Sequence, residues 1–487
     1  MQSRSILVFL SLLFAGTAHA QTPITLPEAL ALVSQQAPAG RRSALAVDHA
    51  DAGIREARAV TDPTLSADAN AQSQQSTGFL AGTPLDTHTS TLDQGLTLAG
   101  TSTVGTTWEL YADLDYNDST SVSQLLGGEQ KQSYWTSTVG VQVKQDVLAP
   151  WRSAPGAVAV RQAVERRDQA SLDLLGVRQD TLTSAASAWW ELRLAQDRLA
   201  LAEARLRTLQ ALESRTEARV EEGLVEALER DRVTVDRLQG AREVIAARDA
   251  LDRASDTLAV LLGLPLEEKL VPTGDGVLDG AETLDLEAHL AWARTGNVDL
   301  AKARLQRDIA RSSQRDARQA RAPTLTLIGT GSVGSLETDV GDAITGLAKE
   351  SAFPTYGAGL QFAVPLAGRA AAAQVDAAGA EVVRADLLLE DADRQVESEV
   401  RSAVRSVISA REDVELAAAR VAVARRTEDA EQVRVEEGTK RLDQLLEAGE
   451  ARQSAELDHL DAVIALARAQ LELRALEGAL TAPEPVR

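Results

Sequence analysis

The sequence RVEEG occurs twice in this chain, at residues 219–223 and 434–438. Each copy lies inside a long proline-free block, the first covering 156–264 and the second covering 366–482. Because proline breaks helices, blocks of this length that are rich in Ala, Leu, Glu and Arg predict very long helices. A glycine inside such a block can adopt the positive φ that ends a helix and reverses the chain. We therefore predict a helical hairpin in each block, with its tip at the glycine of the pentapeptide.

Apolar residues in both blocks follow the alternating spacing of four and three that is typical of coiled coils. In the first block they are Ala188, Leu192, Ala195, Leu199, Ala202, Leu206 and Leu209. In the second block they are Val396, Val400, Ala403, Val407, Ala410, Val414, Ala417, Val421 and Ala424. These stripes predict helix-packing faces.

The hairpins belong to a larger internal repeat. Aligning residue n with residue n + 260 pairs Leu26 with Leu286 and pairs Pro-Thr-Leu at 63–65 with Pro-Thr-Leu at 323–325. Each repeat then reads as a short helix, a strand region, a long helix, a glycine tip and a return helix. The predicted division is a signal peptide at 1–20, short helices at 21–62 and 286–322, strand regions at 63–151 and 323–366, coiled-coil hairpins at 152–265 and 367–480, an equatorial linker at 266–285 and a C-terminal tail at 481–487.

The first twenty residues have the pattern of a secretory signal peptide. Arg4 precedes an apolar run at 6–15, and Ala18-His19-Ala20 has the small-x-small form of a cleavage site. This predicts cleavage before Gln21, because the apolar run is too short for a membrane anchor. The chain has no cysteine, which excludes disulfides and an acylated cysteine, so no lipid anchor is expected. A net charge of −22 argues against nucleic acid as a partner.

Between the helices the hydrophobic period changes from 3.6 to 2. Trp108, Leu110 and Tyr116 alternate with Glu109 and Asp115, for example. Such alternation fits an antiparallel sheet with one apolar and one polar face, either in a soluble domain or in a membrane barrel. The candidate strands are 64–72, 91–98, 104–116, 134–147, 324–332 and 355–366. The sequence leaves open whether 91–98 and 104–116 belong to the wall of a barrel or stand above it.

The aromatic residues favour the barrel. Ten of the thirteen aromatic residues after position 20 lie in the two strand regions. Tyr and Trp near strand ends form the interfacial girdles of outer-membrane barrels. The predicted girdle consists of Trp108, Tyr116, Tyr134, Trp135, Trp151 and Tyr356. Because six strands cannot close a wide pore and lipid excludes an open sheet edge, several copies of the chain would have to share one barrel.

One motif has the glycine spacing of a nucleotide site but is not part of the repeated pattern. Gly329, Gly331 and Gly334 form G-x-G-x-x-G after an apolar run, but the corresponding segment of the first repeat, 65–73, has no glycine. The histidines lack the spacing of zinc ligands, and no G-x-S-x-G nucleophile elbow occurs. We therefore expect neither an enzyme nor a cofactor.

The order of these segments, twice over, resembles the TolC-type outer-membrane efflux proteins, which are trimeric channel-tunnels. The resemblance is carried by LPEALALVSQQAP (26–38), LEAHLAWARTGNV (286–298), AVPLAGRAAAA (363–373), EEGLVEAL (221–228) and EEGTKRLDQLLEA (436–448). It implies a mainly α fold with a β-barrel part. In a homotrimer, coiled-coil helices would form a periplasmic α-barrel and the strands would form a shared transmembrane β-barrel.

The same resemblance assigns roles to residues at the tips. Its adaptor-contacting motifs match Gly223, Leu224, Val225, Gly438, Thr439 and Lys440. Its entrance latch and constriction match Glu229, Lys440, Asp443 and Glu447, although Asp443 aligns only with a one-residue gap and Val435 replaces a tyrosine. Three copies of each acid around a narrow entrance would repel anions. The alternative is that these four are ordinary solvated surface charges.

The resemblance also implies a function. The chain would be an outer-membrane exit duct of a tripartite efflux or type I secretion system, reaching into the periplasm and working with a periplasmic adaptor and an inner-membrane transporter. It would conduct small molecules or proteins passively. The alternative from the residues alone is a periplasmic coiled-coil structural or adaptor protein with a soluble β domain.

Overall fold

A computed structural model describes residues 21–81, 83–102, 104–123, 127–148, 155–223, 226–274, 284–349, 352–364, 366, 368–437, 439 and 442–480. The predicted signal peptide and C-terminal tail lie outside the described residues. The chain divides into two compact units. The first comprises 1–45, 171–303 and 389–487, and the second comprises 46–170 and 304–388.

The helices are α1 (Leu26–Gln36), α2 (Pro38–Ala59), α3 (Pro155–Glu221), α4 (Ala227–Leu262), α5 (Leu286–Gly296), α6 (Val298–Ala320), α7 (Val340–Gly346), α8 (Arg369–Glu436) and α9 (Leu442–Leu476). The strands are β1 (Gln21–Ile24), β2 (Thr64–Leu80), β3 (Thr83–Thr101), β4 (Thr107–Ser123), β5 (Gly128–Asp146), β6 (Lys269–Pro272), β7 (Thr324–Glu337) and β8 (Phe353–Ala363).

The two proline-free blocks fold as long helices followed by shorter return helices. Helix α3 has 67 residues and helix α8 has 68, and α4 and α9 are about half as long. The predicted stripes are their packing faces, since Leu192, Ala202, Val400 and Val407 are all buried. A strict apolar seam of this kind buries little surface per turn, so each helix remains largely solvated along its other sides.

Two clusters of buried apolar residues form the core of the described part of the first unit, and the first of them also takes Ile464 and Leu471 from α9. The first surrounds Trp189 and Leu192 of α3 and includes Leu258 and Leu262 of α4. The second surrounds Val400 and its neighbours on α8. It includes Leu290 of α5, Leu300 of α6 and Leu473 of α9. In both clusters the short helices at the start of a repeat pack against long and return helices, which is where the apolar area of α1 and α5 is buried.

The short helix of each repeat is broken, which the sequence did not predict. Helix α1 ends before Pro38, because a residue that precedes proline is disfavoured in the helical conformation. The second break has no proline. There Asn297 adopts an extended conformation and its Oδ1 accepts a hydrogen bond from Leu300 N at 3.0 Å, which caps α6.

A two-stranded parallel sheet lies in the first unit, formed by β1 and β6. The indole Nε1 of Trp189 donates to the carbonyl of Ile24 at 3.0 Å, and the amide of Leu270 donates to Ser255 Oγ at 2.9 Å. These side chains satisfy backbone and indole groups that would otherwise be buried without a partner. The sheet includes part of the predicted equatorial linker.

The second unit contains a six-stranded antiparallel sheet with the order β2-β3-β4-β5-β7-β8. Strands β3 and β4 lie inside this order, so the 91–98 and 104–116 segments belong to the same sheet as the other four strands. Strands β2 to β5 have 17 to 19 residues each and are longer than predicted.

The glycines of the G-x-G-x-x-G motif lie within strand β7, so they do not form the strand–turn–helix arrangement of a nucleotide site. Gly334 is opposite Phe353 of β8, and a Cβ built on Gly334 would lie 2.5 Å from the phenyl ring. The ring therefore explains this glycine. Within the described ranges, no helix is long and apolar enough to cross a membrane.

Candidate functional site

The tip of the first hairpin is built around Gly223. Helix α3 ends at Glu221, and Gly223 has a φ of +70°. Apart from the chain neighbours of Gly223, no atom of the described residues lies within 4 Å of a Cβ built on it, so the positive φ is the feature that favours glycine at this position. Glu229 follows in the first turn of α4, where its amide donates to the carbonyl of Glu226 at 3.0 Å. The predicted contact residues Leu224 and Val225 lie outside the described residues.

The tip of the second hairpin is closed by Thr439. Its amide and its hydroxyl both donate to the carbonyl of Arg434, at 2.9 and 3.0 Å. These bonds satisfy a carbonyl at the end of α8. The predicted residues Gly438 and Lys440 lie outside the described residues, so the predicted latch between Lys440 and Glu229 stays a prediction.

Asp443 and Glu447 lie one turn apart near the start of α9, and both line a groove between α4 and α9. The groove has a volume of about 490 Å³. Its other lining residues are Leu228, Asp231, Arg232, Val235, Asp236, Leu446 and Glu450. Five of the nine lining side chains are therefore acidic. Glu229 does not line the groove.

A single arginine of α3 connects α4 and α9 beside this groove. Arg205 Nη1 lies 3.6 Å from Glu243 Oε2, and Arg205 Nη2 lies 3.1 Å from Glu450 Oε1. Partial burial raises the pKa of Asp236, and the negative charge of Glu450 raises it further, whereas Arg205 lowers it. Arg205 thus lies close to several carboxylates of α4 and α9. Sequence reasoning missed Arg205, Asp236 and Glu450, because they come together only through the packing of three helices.

The six-stranded sheet separates its side chains into two chemically different faces. The apolar face carries Trp108, Leu110 and Tyr116 of β4, and the polar face carries Glu109 and Asp115 of the same strand. Strand register places the following residues on the apolar face: Leu65, Ala67, Leu96, Leu98, Ala112, Leu114, Val139, Val141, Val143 and Val333. We call the part of this face between Trp108 and Tyr116 the apolar belt.

The apolar belt has the length of a membrane-spanning strand. From Trp108 to Tyr116 is nine residues, and a transmembrane β-strand needs about 9–11. Beyond Tyr116 the alternation ends. Asp118, Thr120 and Lys131 lie on the continuation of the apolar face, and the Asp118 carboxylate is 3.4 Å from Lys131 Nζ. The parts of β2 to β5 beyond this row, the upper part of the sheet, are therefore mainly polar on both faces, with Phe79 and Val122 as exposed apolar exceptions.

Aromatic residues lie at the two ends of the apolar belt. Tyr116 and Trp135 are direct partners in the register, and their ring centroids are 4.8 Å apart. Trp108 lies at the other end, and Tyr356 lies in the adjacent row, opposite Gly331. Register places Tyr134 on the polar face, opposite Asn117. The predicted girdle residue Trp151 lies outside the described residues.

The polar face carries a group of carboxylates. Asp93 of β3 is directly opposite Asp115 of β4, and Asp113 is opposite Gly95, whose neighbour on β2 is Asp68. Glu109 lies on the same face of β4. No group of three or more His, Asp or Glu residues with the arrangement of a metal site occurs in the described part of the chain.

Known proteins share this combination of long helical hairpins and a sheet with one apolar and one polar face. Residues 290–479 match the sequence profile of a family described as outer membrane efflux protein. No curated protein matches the chain. Among solved structures, the outer membrane protein VceC from Vibrio cholerae superposes with a TM-score of 0.67 at 15% identity, covering 93% of this chain and 96% of that one. The chain has the fold of the TolC-type outer-membrane efflux proteins.

Two further channels share this fold. The Campylobacter jejuni CmeC outer membrane channel matches with a TM-score of 0.69 at 13% identity, covering 93% of this chain and 85% of that one. The open state of the Neisseria gonorrhoeae MtrE outer membrane channel matches with a TM-score of 0.64 at 17% identity, covering 93% of this chain and 89% of that one. The resemblance inferred from the repeated motifs is thereby confirmed at the level of the fold.

Proposed function

We propose that this protein is an outer-membrane exit duct that passively conducts cargo from an inner-membrane transporter to the exterior. The observation that carries the proposal is the apolar belt, bounded by aromatic residues and backed by a polar face. Such a sheet is suited to a wall with hydrocarbon outside and water inside. The family match of residues 290–479 and the fold shared with outer membrane channels support the same function.

Closure of the wall requires more than one copy of the chain. Among the strands that the structure describes, β2 and β8 are the edges of the sheet, and each pairs with one neighbour. An unpaired strand edge inside hydrocarbon would leave backbone groups without hydrogen bonds, which is costly. Pairing of β8 in one subunit with β2 in the next would remove both edges. Three copies of six strands would give eighteen strands, a number at which barrels enclose an aqueous channel.

The helices carry matching surfaces for the same assembly. Leu228, Val235, Leu238 and Ile245 of α4 are exposed and follow coiled-coil spacing. On α8, Leu416, Val423 and Val433 are exposed on a side that differs from the buried seam. Exposed apolar stripes of this length favour burial against another helix. We propose that α4 and α8 pack against helices of neighbouring subunits in a homotrimer.

The tips provide the surface for partners. We propose that residues 223–225 and 438–440 contact a periplasmic adaptor, which would connect the duct to an inner-membrane transporter. Asp443 and Glu447 would ring the entrance with negative charge in the trimer and disfavour anions. The proposal includes cleavage before Gln21 and the absence of a lipid anchor, both of which are sequence-based predictions.

The test is the oligomeric mass and the conductance of the full-length product. We expect the protein to require detergent, to have three times the mass of the mature chain by native mass spectrometry, and to conduct ions across planar bilayers. A water-soluble monomer without conductance would refute the duct and would favour a soluble coiled-coil adaptor.

A matched pair of variants tests the orientation of the sheet. Val139 lies on the apolar face and its neighbour Thr138 lies on the polar face. An arginine on the lipid side near the bilayer midplane costs about 2–4 kcal/mol. Val139→Arg should therefore reduce insertion into vesicles, whereas Thr138→Arg should insert as the wild type does. Equal insertion of both variants would contradict the proposed wall.

A further inference from the structure

We propose that helix α7 is a membrane-interface anchor, seated on the outside of the barrel wall and in contact with lipid headgroups and the upper acyl chains of the outer leaflet. This inference rests on the proposed function, because it assumes that the apolar face of the sheet is turned toward lipid. It adds a second lipid-contacting element that is not part of the strands.

The helix is seated on the apolar face of β5 and β7. Ser137 and Ser335 are direct partners in the register, and both are almost completely buried, although Val139 and Val141 of the same face are exposed. Ser137 Oγ donates to the carbonyl of Ala343 at 2.5 Å. Two small side chains therefore form a shallow seat in an otherwise larger apolar surface, and α7 occupies it.

The fit between the helix and this seat is close. Gly346 is buried, and a Cβ built on it would lie 2.1 Å from Ser335 Oγ. Ala343 is also completely buried against the sheet. Asp339 caps the helix, since its Oδ1 accepts from Gly341 N at 2.8 Å. The position of α7 is thus fixed by backbone approach and by hydrogen bonds, as a built element of the wall requires.

The other sides of α7 are amphipathic in the direction that an interface requires. At about 100° per residue, the sheet-facing residues Ala343 and Gly346 lie between an apolar flank and a polar flank. The apolar flank carries Val340 and Ile344, which are 38% and 53% exposed, followed by the half-buried Leu347. The polar flank carries Asp342 and Thr345. A helix with these two flanks fits the plane of a membrane–water boundary.

The level of α7 on the sheet agrees with that position. Ser137 is two residues from Trp135 along β5, so the seat lies one row below the pair of Tyr116 and Trp135. This pair marks one end of the apolar belt, where aromatic residues of membrane barrels meet the headgroups. Asp342 on the polar flank of α7 forms an ion pair with Lys349, with 3.1 Å between the carboxylate Oδ1 and the lysine Nζ. Charged groups at this level remain hydrated while the apolar flank meets hydrocarbon.

Lipid is a better occupant than another protein chain for this flank. A specific protein interface buries about 800 Å² on each partner, which Val340 and Ile344 of a seven-residue helix and the adjacent Leu347 do not supply. The flank is instead continuous with the apolar belt, which the proposed function already places in hydrocarbon. The apolar flank of α7 and the apolar belt would then both be in contact with lipid.

The absence of native cysteine permits a direct test by site-directed spin labelling. Single cysteines are introduced at Ile344 and at Thr345 in the full-length protein, which is reconstituted in phosphatidylcholine vesicles. Accessibility to oxygen, which concentrates in lipid, is compared with accessibility to a water-soluble nickel reagent. We expect the label at Ile344 to favour oxygen and the label at Thr345 to favour nickel.

Two control positions separate this inference from the proposed function. A label at Val139 reports the apolar belt, and a label at Thr120 reports the polar upper part of the sheet. If Val139 favours oxygen but Ile344 favours nickel, the barrel is in the membrane and the anchor is refuted. If Ile344 is protected from both reagents, a protein surface covers α7 and the lipid assignment is also refuted. If the label at Val139 itself favours nickel, the apolar face of the sheet does not lie in lipid, and the proposed function is refuted together with the anchor.

Discussion

His289 and Glu477 form a buried hydrogen bond between the imidazole Nδ1 and the carboxylate Oε1, at the place where the first repeat has Ala29 and Leu262. Ala29 precedes His289 by the repeat offset of 260, and Leu262 lies as far from Gly223 as Glu477 lies from Gly438. Gly263 and Gly478 follow at equivalent positions with φ of +71° and +72°. At equivalent buried positions the first repeat therefore has two apolar residues, whereas the second repeat has two ionisable residues.

This difference predicts a strong dependence of stability on both members of the second pair. Removing one partner of a buried pair costs about 3–5 kcal/mol, because the other group stays buried without compensation. We expect His289→Ala and Glu477→Leu each to lower the thermal midpoint followed by circular dichroism. The double variant, which copies the first repeat, should be destabilised by clearly less than the sum of the two. Additive effects would show that the pair is not coupled.

A second prediction concerns the tip glycine. A left-handed conformation costs a residue with a Cβ about 1–2 kcal/mol, so Gly223→Ala should lower the thermal midpoint. Gly53 of α2 is the control, because among the described residues outside its own stretch of helix no atom lies within 4 Å of a built Cβ, and Gly53 has no positive φ. Gly53→Ala should be neutral or stabilising by up to about 1 kcal/mol. Equal losses in the two variants would contradict a conformational role for Gly223.

A third prediction follows from the acidic groove and has a defined sign. The pKa of Asp236 is raised in the folded protein, by burial first and then by Glu450. A carboxyl group whose folded pKa is raised costs stability above that pKa, and this cost disappears as the pH falls to the ordinary value of 3.8. Asp236→Asn should therefore stabilise the protein at pH 7, by less than about 1 kcal/mol because the group is partly exposed.

The measurement for this third variant is the thermal midpoint at pH 7 and at pH 4. The gain from Asp236→Asn should shrink at the lower pH. Arg205→Ala should act in the opposite direction at pH 7, since it removes the charge that lowers the pKa of Asp236 and the ion pair with Glu450. A gain that is independent of pH would exclude titration of Asp236 as its cause.

The long elements of this fold were predictable because their physical signals are local. Proline spacing and heptads identified α3 and α8, and period-2 alternation identified the six strands. The ends of the strands were harder to predict from the sequence. Above Tyr116 both faces are mainly polar, so alternation of hydrophobicity no longer marks the strand although the hydrogen-bonded register continues to Ser123. Helix α7 has seven residues and no periodic signal long enough to predict it.

The candidate sites show a related limit. The resemblance indicated Asp443 and Glu447, but the groove that contains them also needs residues of α4 and a charge from α3, which only tertiary packing brings together. Tyr134 and Trp135 are adjacent in sequence and were grouped as one girdle. Strand geometry places neighbours on opposite faces, so the register was needed to separate them.

The last prediction concerns ion selectivity and depends on the polar face being the channel lining. Asp93 and Asp115 are direct partners on that face, with Asp113 and Asp68 nearby, and rings of carboxylates favour cations over anions. The double variant Asp93→Asn and Asp115→Asn should lower the cation-to-anion permeability ratio, measured as the reversal potential in a salt gradient. Asp118→Asn is the matched control, because Asp118 lies on the other face and pairs with Lys131. If Asp118→Asn changes the ratio as much as the double variant does, the selectivity does not arise from the polar face of the wall.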